Sequence, residues 1–183
     1  PLSLCQAAVY LNKTNLPLQD YLDSLGKNLK GLCVWDAALK EVKKSNALAY
    51  QLLELGSFLE AQYIPSYLLE HLCEDKPAYI NAMNILKKYS LVEVHKEGYK
   101  MHQLLQEALL SKMTHDEKRQ HLLKLVYKLN LEFFYDHKSE KPDRKCRDLI
   151  GHLVHVLSAA KNNALNSSIC ATLFRKLGDY VLY

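Results

Sequence analysis

The sequence predicts a mainly α fold interrupted by one small β-hairpin, and three observations predict it. Between Leu91 and Gln106 the hydrophobic period is 2 rather than 3.6, with Val92 and Val94 on one face and Glu93 and His95 on the other. Three candidate helices precede that stretch, and everything after it follows helical spacing. Lys96-Glu97-Gly98 supplies the reversal, with Gly98 expected at positive φ, and Tyr99-Lys100-Met101 returns as the second arm. An isolated short hairpin is marginal in water, so it must lie on helices. Helix, short helix, helix, then a two-stranded wing is the order of a winged helix. The expected division is 1–44 a helical segment, 45–112 the winged-helix domain, and 113–183 a helical bundle leading into repeats.

The first helix is marked by Leu4, Ala7, Ala8 and Leu11. Pro17 opens a second with Tyr21, Leu22 and Leu25 as its stripe, ended at Gly26. From Val34 a third begins, with Leu39 and Val42 inward and Lys40, Glu41, Lys43 and Lys44 outward; Trp35, the only Trp, anchors it in the core. Ser45-Asn46 caps the next helix, whose stripe is Leu48, Leu52, Leu55 and Leu59. Ile64-Pro65-Ser66 starts a short helix. Asp75 caps another, with Pro77 in its first turn and Ile80, Met83 and Leu86 inward.

After the hairpin, Leu105, Ala108 and Leu109 mark one helical face. Thr114 to Glu117 has the spacing of a capping box, and Leu122, Leu125, Val126, Leu129 and Phe133 continue that helix. A polar break from Tyr135 ends at Pro142. Cys146, Leu149, Ile150, Leu153, Leu157 and Ala160 then form a helix that Asn162-Asn163 stop. The last carries Ile169, Leu173, Phe174, Leu177 and Val181. Consecutive antiparallel helices of this length suggest the start of a helical repeat array.

Composition narrows the function classes. The 183 residues can bury a sizeable core, and 49% apolar residues is ordinary for a globular protein. The net charge of +4 comes from 24 basic against 20 acidic residues dispersed along the chain, which is not the footprint of an obligate nucleic-acid binder. Five widely spaced Cys without a CxxC pair suit reduced thiols in an intracellular, cytoplasmic protein. No apolar run is long enough to span a bilayer. The sequence opens on Pro1 and closes within a helical pattern, so a piece of a longer protein is expected.

No phosphate-cradling GxxxxGK[ST], GxSxG, HExxH or Gly-rich nucleotide fingerprint occurs, so this stretch is not expected to be an enzyme. His152 and His155 stand at i, i+3 with Cys146 two turns earlier. Zinc needs further ligands that no spacing signals, so a structural pair is expected and no metal. The short helix Ser66–Leu72, placed at the recognition position, carries an acid and neither Arg nor Lys, which argues against duplex DNA.

Three local patterns together resemble one family, the signal-transducing NTPases of the NB-ARC (STAND) kind in the subgroup ending in tetratricopeptide repeats. The stretch from Pro1 to Leu11 is similar to the continuation of the family's Gly-Leu-Pro-Leu segment, less the Gly and Leu before the proline. Ala49 to Leu59 followed by Ile64 to Leu69 resembles the opening of its winged helix. Tyr89 to Val92, then Tyr99 to Ala108 with Met101-His102 within it, resembles its wing and Met-His motif. Beyond these three, Phe174-Arg175-Lys176-Leu177-Gly178 resembles the first helix of a tetratricopeptide repeat, with Tyr180 one place early.

The resemblance implies that Pro1 packs near the adenine and that His102 reaches the β-phosphate of bound ADP, locking a closed resting state. An imidazole in the first turn of a helix adds a donor to free backbone N–H groups. Gln103 stands where many relatives carry Asp, so an amide replaces that acid. The implied cofactor is ADP or ATP in the full-length protein, not in this stretch alone. The implied partners are an upstream nucleotide domain of the same chain, proteins bound through the repeats, and self-association on activation. The alternative is a nucleotide-independent helical scaffold for protein interactions.

Overall fold

The computed structural model describes residues 33–134 and 144–182. The two helices expected before Cys33, the break from Tyr135 to Pro142, Cys5 and Pro1 lie outside the described residues.

The fold is mainly α with one small antiparallel sheet. Helices α1 (Cys33–Ser45) and α2 (Ala47–Gly56) are followed by strand β1 (Ile64–Pro65) and the short α3 (Ser66–Leu69). Then come α4 (Lys76–Lys88), β2 (Val92–Val94), β3 (Gly98–Met101) and α5 (Gln103–Lys112). Three long helices close the chain: α6 (His115–Glu132), α7 (Arg144–Asn162) and α8 (Ser168–Leu182).

Local chemistry accounts for most boundaries. Asn46 and Asp75 accept backbone N–H bonds from Ala49 and Ala78 at 2.8 and 2.7 Å, closing the N-termini of α2 and α4. Thr114 and Glu117 exchange the reciprocal bonds of a capping box at the head of α6. The ends of α4 and α7 are closed without glycine. Ser90 (φ 53°) and Ala164 (φ 49°) take the left-handed position, and Leu91 and Leu165 return their N–H groups to Leu86 and Ala160.

The hairpin is where expected, but its turn and its size differ. Among the described residues no glycine has positive φ. Gly98 is required for space instead, because a Cβ there would meet the Ile64 carbonyl oxygen at 2.5 Å. The neighbour responsible is β1, a third strand not anticipated, which pairs antiparallel with β3 through Ile64–Tyr99 and Pro65–Gly98. Sheet order is β1-β3-β2, with Val92 opposite Met101 and Val94 opposite Tyr99. Proline is tolerated in β1 because that strand is an edge.

Tyr99 and Met101 turn inward from β3, and one core cluster runs from Trp35 and Leu39 to Leu153 and Leu173. Ile80, expected inward, is 48% exposed, because Tyr79, Ala82, Met83 and Leu86 form the buried arc of α4. Phe174 and Val181 are likewise exposed, since α8 packs only through the side holding Cys170 and Leu173. Arg119 on α6 donates to the Asn163 and Ala164 carbonyls, while Lys176 on α8 donates to that of Asn130. Helices α6 and α8 therefore run parallel, with α7 antiparallel between them in sequence.

Candidate functional site

His102 is the N-cap of α5, reached directly from the last residue of β3, and it is exposed. The sheet fixes this position: the Met101 N–H donates to the Ala61 carbonyl at 3.1 Å, so β3 delivers the chain to the helix in one register. Nδ1 of His102 accepts the Leu104 N–H at 3.2 Å, and the His102 carbonyl takes those of Leu105 and Gln106. An accepting Nδ1 carries no proton in the neutral ring, so the hydrogen resides on Nε2 as a donor. Next along, Gln103 donates to the Glu107 carboxylate at 3.2 Å and leaves His102 unbraced by its own side chain.

On one flank the imidazole meets Trp35 of α1, with ring centroids 6.3 Å apart. Asp36 is ion-paired with Lys112 at the other end of α5. Pro1, the other residue that the sequence points to, lies outside the described residues.

Two other histidines, His121 and His152, are buried in the core. His152 and His155 are not a pair: His155 is exposed and bonded to the Gly151 carbonyl of its own helix. His152 is 1% exposed, and its Nδ1 accepts the Glu60 N–H at 3.1 Å. Burial first, then the neighbouring His155, pulls its pKa from 6.5 down to about 4, against a hydrogen bond with the Tyr63 backbone and the charge of Asp148. His121 of α6 is also buried, with Nε2 3.3 Å from Glu54 of α2. Among the described residues no group of three or more His, Cys, Asp or Glu side chains is arranged to hold a metal ion.

Two further polar residues escaped the sequence reading. Gln106 is buried and donates through Nε2 to the Gly56 and Leu59 carbonyls, at 3.0 and 2.9 Å, closing the end of α2. Glu132 takes hydrogen bonds from both Lys128 and Lys145. Burial alone would raise its pKa, but the two lysines hold it below the ordinary carboxylate value. Lys145 also lies over the Tyr67 ring, 5.0 Å from its centroid. A cleft of about 570 Å³ opens here, lined by Tyr67, Glu70, Asp75, Lys128 and Glu132 among others. His102 does not line it.

The short helix α3 does not take an outward recognition position, since Leu68 and Leu69 are buried. The outward polar face belongs to α4, with Lys76, Asn81, Asn84 and Lys87 exposed. Glu74 and Asp75 stand exposed at its start, and Lys76 pairs with Glu70, so that face is not uniformly cationic. No helix among the described residues is long and apolar enough to cross a membrane.

Residues 40–118 match a family described as a domain of unknown function, DUF7779. The matched stretch begins within α1, takes in the whole sheet and α5, and stops in the first turn of α6. No curated protein and no solved structure matches the chain.

Proposed function

We propose that this chain is the regulatory, winged-helix portion of a nucleotide-dependent signalling switch of the NB-ARC kind, joined to the start of a helical repeat region. In this reading residues 45–112 form the winged helix, and His102 contacts the β-phosphate of ADP held by a nucleotide domain upstream. Release of that contact on exchange for ATP frees the unit for self-association. A nucleotide moves such an equilibrium only by binding the closed and open states with different affinity, and His102 supplies part of that difference.

The observation that carries the reading is the presentation of His102. It is exposed, it heads a ten-residue helix, and its own cap bond leaves Nε2–H as the outward donor. A phosphate oxygen meeting Nε2–H there would also face the positive end of the helix dipole. The test is His102→Ala in the full-length protein. Faster loss of ADP and a shift away from the resting state are expected; unchanged ADP retention with an unchanged resting state would refute the role.

One observation favours the alternative of a nucleotide-independent scaffold. Leu123, Tyr127 and Leu131 follow one another at four-residue intervals on α6 and are all exposed, as is Phe134. A full-length sequence without a phosphate loop would decide for the scaffold.

A further inference from the structure

The imidazole of His102 is held from outside its own helix. Trp35 comes from α1, is 5% exposed, and lies tilted by 37° against the His102 ring at 6.3 Å, within the range over which aromatic rings attract. Its indole Nε1 is buried without a hydrogen-bond partner among the described residues. A donor left in that state costs about 1–3 kcal/mol, which a purely apolar ring in the same place would not pay. The adjacent Asp36 pairs with Lys112 in the last turn of α5. Helix α1 therefore meets both ends of α5, with the indole against the imidazole at one end and the ion pair at the other.

The two ring nitrogens of His102 have different tasks. Nδ1 caps the Leu104 N–H, which leaves Nε2–H, on the other side of the ring, outside that bond. Rotation of the ring breaks the cap and withdraws the donor together. An exposed histidine at a helix start has little of its own to prevent that rotation, and Trp35 is the neighbouring ring that limits it.

We propose that Trp35 is the positioning residue of the His102 site, keeping the imidazole on the Leu104 amide so that Nε2–H is offered to a phosphate oxygen. The phosphate half rests on the function proposed above. The positioning half does not, and it is tested without nucleotide.

Trp35 is the only tryptophan, so the emission of the 183-residue chain reports this ring pair. A ring packed on the indole shields it from water and sets its emission. His102→Gln replaces that ring with a flexible amide and should shift the emission of Trp35. By hydrogen exchange, the Leu104 amide should open about fivefold more readily in Trp35→Leu, the equivalent of one helix cap, while Trp35→Phe keeps the wild-type rate. An emission unchanged in His102→Gln, or an unchanged Leu104 rate in Trp35→Leu, would overturn the assignment. If Trp35→Leu does not fold, the emission comparison still decides, because it leaves Trp35 in place. In the full-length protein, ADP retention then separates the two halves. Positioning that passes while His102→Ala still holds ADP rejects the phosphate reading alone.

Discussion

At the scale of single residues, His152 makes the sharpest demand on solution conditions. Its ring is neutral in the folded chain because Nδ1 must accept the Glu60 N–H and because the site is buried. The groups facing it are Asp148 and His155 on its own helix, with Glu60 and the Tyr63 backbone on the segment before β1. A histidine whose pKa falls on folding binds its proton more readily when unfolded, so acid favours unfolding. The contribution is complete above pH 6.5 and disappears as the pH falls towards 4. The cost reaches about 3 kcal/mol, from 1.36 kcal/mol for each pH unit between those values. Denaturant unfolding at pH 7.5 and 4.5 should show the loss, and His152→Gln should flatten the profile in that window. An identical profile in the variant would remove His152 from the account. Nothing in the spacing of His152 and His155 revealed this, because which imidazole turns inward depends on a segment ninety-odd residues earlier.

At the scale of elements, the joint between α2 and α5 is made by Gln106. Its amide donates to the Leu59 carbonyl and to a second lone pair on the Gly56 carbonyl, which already accepts the Leu59 N–H. Gln106→Leu keeps the volume and removes both bonds, leaving buried carbonyl capacity unmet at a cost of about 2 kcal/mol. A lower unfolding midpoint with an unchanged circular dichroism spectrum is the expected result, and an unchanged midpoint would show that water replaces the amide. The contrast with the helix starts explains what could be read from the sequence. Asn46, Asp75 and Thr114 each bond a backbone group three residues away, so their roles are local and were legible. Gln106 reaches across 50 residues, and β1 is two residues long with its partner strand more than thirty residues on. Interactions of that separation leave no periodic trace. His102 lies between these cases: its cap is local, but only the resemblance pointed to it, and Trp35 looked like any core aromatic.

At the scale of the whole molecule, the three long helices are docked on the sheet-bearing unit through a contact with polar pins in an apolar bed. His121 of α6 meets Glu54 of α2, His152 of α7 takes the Glu60 N–H, and Lys145 covers Tyr67. The Glu60 carboxylate lies over Gly151, where an added Cβ would make that flexible side chain turn aside. Around these pins the same core cluster includes Leu52 and Leu55 of α2 and Leu122 and Leu125 of α6, without a break at residue 112. A shared core couples the two regions thermodynamically, because separating them would expose apolar surface on both sides at about 25 cal/mol per Å². Heat should therefore unfold the described chain in one transition. Emission from Trp35, which lies in the first region, should change together with far-ultraviolet dichroism, which the long helices of the second dominate. Removing a pin by Glu54→Leu leaves His121 buried opposite an apolar side chain and should lower the common midpoint, or begin to split the two signals. Wild-type curves that separate by several degrees would instead mean that the pins orient two independently stable units without fusing them.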